Sequence, residues 1–134
     1  MIQTLIKTAD QYLIKQSVTW EQFKVMQSTF AEIGGTRLNY CEGVVEIVGI
    51  GLLHEMTSIL MGLLLGQYFL MKRMRFTGTG AYTQTIEPKL EFQADLSFIF
   101  GDNPELTDLC IEIVVTSGSV KKLRNYQLRN IPEV

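Results

Sequence analysis

The run Asp108-Leu109-Cys110-Ile111-Glu112-Ile113-Val114-Val115 constrains the fold of this chain more than any other stretch. Its apolar residues are nearly continuous and rich in β-branched types, and Thr116-Ser117-Gly118-Ser119 closes it. A strand covered on both faces reads this way. Alternation puts Cys110, Glu112 and Val114 on one face and Ile111, Ile113 and Val115 on the other. Glu112 is the anomaly. A carboxylate with apolar neighbours on both sides is costly unless it is paired, protonated or bound to a metal. The plainer alternative is a glutamate directed outward from a sheet edge or matched with an arginine.

With 134 residues there is material for one domain and one core. A hydrophobic fraction of 46% against 19% charged residues places the chain among globular proteins. The net charge of −2 argues against a protein that coats nucleic acid through bulk charge, though it permits local basic patches. Cys41 and Cys110 lie in apolar segments without metal-ligand spacing, which implies reduced thiols in a cytoplasmic protein. One histidine and two cysteines are too few for a structural zinc site. The N-terminus lacks the apolar core of a secretory signal. The run from Ile59 to Met71 falls short of the roughly 17 to 25 residues that cross a bilayer. It is expected to be a core helix packed on a sheet, with Gly62 and Gly66 at close contacts; membrane association is the minor alternative.

In chain order, helical spacing of Leu5, Ile6, Ala9, Leu13 and Ile14 suggests a helix over 3–15. Thr19 followed by Gln22 has the form of a capping box opening a second helix, which Gly34-Gly35 ends. Segments 37–41 and 44–48 alternate as strands around a Glu42-Gly43 turn. A long helix over 54–74 follows, then a turn at 77–80, strands over 81–86 and 92–100, the strand at 108–115, and a helix over 119–130. That order specifies an α/β or α+β domain with a mixed sheet.

Chemistry points to three places. Asp95 is an acid inside the apolar strand Gln93-Ala94-Asp95-Leu96-Ser97-Phe98, and Glu112 lies on the next strand. Adjacent strands could bring the two within roughly 5 Å, the separation of two carboxylates sharing Mg²⁺. Lys121-Lys122 follow the Ser/Gly turn, where an ammonium could orient water or stabilise phosphate charge. Arg124 and Arg129 form one basic surface and Lys72, Arg73 and Arg75 another. Each element also has a plainer reading: Asp95 as a turn cap, the lysine pair as solvated residues, His54 as a structural histidine rather than a base, and Glu46 as a residue facing water.

The segments Thr19-Trp20-Glu21-Gln22-Phe23, Arg37 through Ile47 and His54-Glu55 resemble the front half of Uma2-family proteins. The match is sharper in the back half. It runs through Ala94-Asp95-Leu96-Ser97-Phe98, Asp108 through Gly118, Lys122-Leu123-Arg124-Asn125-Tyr126 and Ile131-Pro132-Glu133-Val134. These relatives, abundant in cyanobacteria and formerly grouped as DUF820, are described as endonucleases of the restriction-endonuclease-like PD-(D/E)XK fold. The resemblance implies that Asp95 and Glu112 are the metal-binding acids. Val114 occupies the position of the usual lysine, so the resemblance moves that role to Lys122, with Tyr126 as its companion. Ala94 departs from a common proline, Gly49-Ile50-Gly51-Leu52-Leu53 departs from a proline-containing loop, and relatives continue beyond the position of Val134.

The expectation is therefore a single restriction-endonuclease-like domain over 1–134, with N-terminal helices over 1–35, a nuclease-like core over 36–134, and truncation at the C-terminus. Its expected function is Mg²⁺- or Mn²⁺-dependent hydrolysis of DNA. Asp95 and Glu112 would hold the metal, and Lys122 would join them as the third catalytic residue. No other cofactor and no membrane partner are expected, and a homodimer is entertained. The competing expectation is a catalytically silent member of the same fold that binds nucleic acid or a protein partner.

Overall fold

A computed structural model describes residues 11–114 and 122–134. Among them are three helices and two antiparallel sheets, an α+β arrangement. The first sheet has the order β1 (Gln11–Lys15), β3 (Val44–Gly49), β2 (Thr36–Cys41), β6 (Leu90–Gln93), β5 (Thr83–Ile86). The second has the order β4 (Thr77–Gly78), β7 (Leu96–Ile99), β8 (Leu109–Ile111). The expected single mixed sheet is thus replaced by two antiparallel ones. The parallel pairing among the described residues is an isolated bridge between Leu109 and Glu133, where the Glu133 carbonyl accepts the Cys110 N–H at 2.9 Å.

Helix α1 (Trp20–Ile33) forms as its sequence dictates. The Thr19 hydroxyl accepts the Gln22 N–H and the Gln22 side chain accepts the Thr19 N–H, so two N-terminal donors find partners. Gly34, at φ 77° and ψ 167°, takes a positive-φ conformation suited to glycine where the helix ends. Phe23, wholly buried, stacks with Tyr40 at 5.0 Å between ring centroids, and Trp20 meets Tyr40 edge-on. The β2–β3 hairpin turns at Glu42 and Gly43, both at positive φ, as a two-residue turn matched to strand twist demands.

Several expectations are corrected. Residues 11–15 form a strand, not the end of a helix: Tyr12 pairs with Val48 and Ile14 with Glu46. Tyr-Leu-Ile suits either state, and pairing with the β3 edge decides between them. Residues 3–10 lie outside the described set. Residues 77–78 pair with β7 as a short strand instead of forming only a turn. Helix α2 (Leu52–Met71) has its expected length, but it is not deeply buried. His54 and Phe69 are its buried residues, whereas Ile59, Leu63, Leu70 and Met71 are at least 64% exposed. The helix touches the second sheet along one stripe, where Phe69 packs on Phe76, Phe98 and Phe100. Gly62 and Gly66 face that stripe loosely. A Cβ would meet Leu96 at 3.8 Å and Phe76 at 3.9 Å, ordinary contact distances.

The strand expected over 92–100 is interrupted at Ala94-Asp95. Before the break the chain belongs to the first sheet; after it, to the second. Asp95 therefore sits at the junction of the two.

Candidate functional site

Strand β7 pairs with β8 in a register that matches Leu96 with Ile111 and Ser97 with Cys110. Asp95 immediately precedes Leu96 and Glu112 immediately follows Ile111, so the two acids lie at the same end of this ladder. Glu112 is not in mid-strand as expected; β8 ends at Ile111 and Glu112 follows it. Leaving the strand frees its side chain to meet α3 (Lys122–Leu128).

The two carboxyls have opposite electrostatic settings. Asp95 is 7% exposed. Its Oδ1 accepts Arg37 Nη1 at 2.7 Å and His54 Nε2 at 2.9 Å, and its Oδ2 accepts the Ile113 N–H at 2.6 Å. Burial pushes this carboxyl up, but the Ile113 N–H, His54, Lys122 and Arg37 together outweigh it and hold Asp95 below the ordinary aspartate range. Glu112 goes the other way. Burial pushes it up to about 7; Lys122 opposes the shift, while the Asp95 charge, within hydrogen-bonding reach, reinforces it. The two carboxyls are thus shifted in opposite directions, Asp95 down and Glu112 up.

Helix α3 supplies the rest. Lys122 Nζ lies 2.8 Å from Glu112 Oε1 and donates to the Gln93 carbonyl at 2.8 Å. The Tyr126 hydroxyl donates to the same Glu112 oxygen, and its ring, 1% exposed, meets Phe92 edge-on at 4.8 Å. Lys122 and Tyr126 are four residues apart and share a helix face, as their spacing requires. Lys121 lies outside the described residues.

Asp95, Glu112 and Lys122 are thus brought together, with Tyr126 beside them. Two further residues had not been placed at this site from the sequence: Arg37, from β2, and His54, from the first turn of α2. A lone arginine in an alternating strand gives no hint of its partner, and His54 reads equally as structural. Other expectations hold less well. Glu46 does not simply face water, since it accepts the Tyr12 hydroxyl at 2.8 Å. Arg124 bonds Glu42 and Arg75 bonds Asp102, so both proposed basic surfaces contain internally paired charges.

Among the described residues, no group of three or more His, Cys, Asp and Glu side chains is arranged to hold a metal ion. Asp95 and Glu112 are hard-oxygen groups of the kind a divalent cation takes together with water and phosphate, but both Asp95 oxygens and Glu112 Oε1 already have protein partners. What the pair does not form is a closed cage of protein ligands. Among the described residues no helix is long and apolar enough to cross a membrane. Comparison with protein-family models, with curated proteins and with solved structures returned no match.

Proposed function

We propose that this chain is a metal-dependent nuclease of restriction-endonuclease-like type, acting on DNA phosphodiester bonds in the cytoplasm, in keeping with its resemblance to the Uma2 family. One observation carries the reading: an acid pair at the end of a strand ladder, with a half-buried lysine 2.8 Å from one member. Asp95 and Glu112 would hold Mg²⁺ or Mn²⁺. The bound ion would supply Lewis-acid polarisation of the phosphoryl group and a water of lowered pKa. Lys122, fixed by the Gln93 carbonyl and Glu112, stands where its ammonium can orient a nucleophilic water or stabilise phosphate charge. Tyr126 donates to the same Glu112 oxygen that Lys122 approaches, and Arg37 and His54 both bond Oδ1 of Asp95.

The test is cleavage of plasmid and oligonucleotide DNA with Mg²⁺ and Mn²⁺, alongside metal titration by calorimetry. Lys122→Ala should lower the cleavage rate at least about 100-fold, the scale of losing one preorganised charge-stabilising donor. Metal binding and the folded-state circular dichroism should survive the change. Cleavage that persists in this variant removes the lysine from the mechanism.

A second reading has its own support. Both oxygens of Asp95 are already engaged, and Arg37 and Lys122 balance two carboxylates without any metal. On this reading the site is a structural charge cluster in a silent member of the fold. Calorimetry separates the two, because a structural cluster takes up neither Mg²⁺ nor Mn²⁺ at millimolar concentration.

A further inference from the structure

The ladder between β2 and β6 pairs Cys41 with Leu90 and Tyr40 with Glu91, and there it stops. Strand β6 runs on to Gln93, which is still paired with Thr83 of β5 on its other side. Main-chain groups need other partners where a ladder ends. Here a side chain serves each one. The Gln93 N–H donates to Asn39 Oδ1 at 3.1 Å, and the Gln93 carbonyl accepts Lys122 Nζ at 2.8 Å. Immediately beyond lies the break at Ala94-Asp95, where Arg37 bonds Asp95 at 2.7 Å. Arg37 and Asn39 are two residues apart on β2 and share a face. One strand face thus grips the chain on both sides of Ala94.

Asn39 is buried, and only its amide oxygen can accept the Gln93 N–H. Glu46 keeps that oxygen on the correct side. The two residues are paired across β2 and β3, and Asn39 Nδ2 donates to Glu46 Oε2 at 3.5 Å. A carboxylate accepts and does not donate, so a flipped amide would set oxygen against oxygen. Glu46 is held in turn by Tyr12, whose hydroxyl donates to Oε1 at 2.8 Å. Burial, and then Glu46, push that hydroxyl up, so it stays protonated and remains a donor. A line of hydrogen bonds therefore runs from β1 through β3, β2 and β6 to Lys122.

We propose that Asn39 is a positioning residue for Lys122: it fixes Gln93, whose carbonyl holds the ammonium beside Glu112, and Glu46 sets the direction of the Asn39 amide. A lysine ammonium rides on a flexible four-carbon stem, so its place is set by the acceptors that confine it. The Gln93 carbonyl and Glu112 Oε1 are those acceptors. What Lys122 does there rests on the nuclease reading; how it is held does not.

Urea unfolding of the wild type, Asn39→Leu, Lys122→Met and the double variant tests the link without any activity. Once either change is made the other should cost less, by at least about threefold in the unfolding equilibrium constant, as for members of one hydrogen-bond network. Asn39→Ala, equally unable to accept, replaces Asn39→Leu if that variant does not fold. Additive effects overturn the proposal. A swap of donor and acceptor is the second arm. Asn39→Asp alone sets two carboxylates against each other. Asn39→Asp with Glu46→Gln restores a donor facing an acceptor and leaves an oxygen for the Gln93 N–H. In Mg²⁺-dependent DNA cleavage, Asn39→Asp should lower kcat at least about tenfold with KM within about twofold, and the swap should recover kcat to within about threefold of wild type. A swap no better than Asn39→Asp overturns the positioning role, and so does a loss confined to KM. If the wild type cleaves no DNA, the nuclease reading fails, and the urea cycle alone decides whether Asn39 holds Lys122.

Discussion

The α1 side and the α2 side of this molecule each set a helix over a sheet and bury carboxylates beneath it, yet they solve the problem differently. On the α1 side Phe23, Tyr40, Val45 and Leu38 form a closed core with Trp20 and Met26 packed around it. The buried acid there, Glu91, is met by Lys24 at 2.6 Å and by Gln27, both from α1 itself. One acid faces one base, and the helix that covers the charge also neutralises it. On the α2 side the helix is more apolar but covers less, and the acids come as a pair. Asp95 and Glu112 face each other, and only one of them is held below its ordinary range. A buried acid matched by its own base is a structural device. Two acids set side by side, one held low and one raised, retain a charge state that a ligand can change.

The largest expected effect tests the closed side. Phe23→Ala removes a ring that is wholly buried and in contact with both Trp20 and Tyr40. The loss should be about 3–5 kcal/mol, read as a fall in the urea midpoint, since a deleted core aromatic leaves a cavity as well as losing transfer energy. A loss below about 1 kcal/mol would mean that the α1 core is not the closed unit described above.

The second test addresses the acid pair and depends on pH. Glu112 is raised in the folded state from an ordinary 4.5 to about 7. The folded protein therefore binds more protons than the unfolded chain between these values. The stabilisation tied to protonated Glu112 is fully present below about pH 4.5 and is lost as pH rises through 7, amounting to up to about 3 kcal/mol. Asp95, held low, contributes with the opposite sign: its stabilisation is present above the ordinary aspartate range and is lost as pH falls through its own lowered value. Glu112→Gln imitates the protonated acid, keeping an oxygen for Lys122 and Tyr126 and gaining a donor for Asp95. In metal-free buffer the variant should match the wild type near pH 5 and exceed its stability at pH 8. Urea titrations at both values check this, and an equal difference at the two would show that Glu112 is not raised.

What could be read from the chain divides along the same line. The α1 side is governed by local rules: Thr19 with Gln22 opens a helix, Gly34 closes it, and Glu42-Gly43 turns a hairpin wherever they occur. The site was half legible. Two acids in apolar segments stand out by themselves, whereas Lys122 and Tyr126 were singled out through the resemblance. Arg37 and His54 are marked by neither, because nothing local says that β2 and the first turn of α2 converge on the break at Ala94-Asp95. Helix α2 misled for a physical reason. In an amphipathic helix the polar residues show which face is wet, but a helix apolar on every side carries no such mark. Burial was inferred from composition, whereas packing on the second sheet covers a single stripe.

The smallest effect bears on that stripe. If Gly62 and Gly66 were close-contact points, as composition suggested, any side chain added there would force the helix off the sheet. The structure leaves room: a Cβ at Gly66 would lie 3.9 Å from the Phe76 ring. Glycine within a helix costs up to about 1 kcal/mol relative to alanine through its backbone freedom. Gly66→Ala should therefore stabilise the protein by about 0.5–1 kcal/mol, a rise of a few degrees in melting temperature for a chain of this size. A fall in melting temperature would place Phe76 closer to α2 than described and make this side as tightly closed as the other.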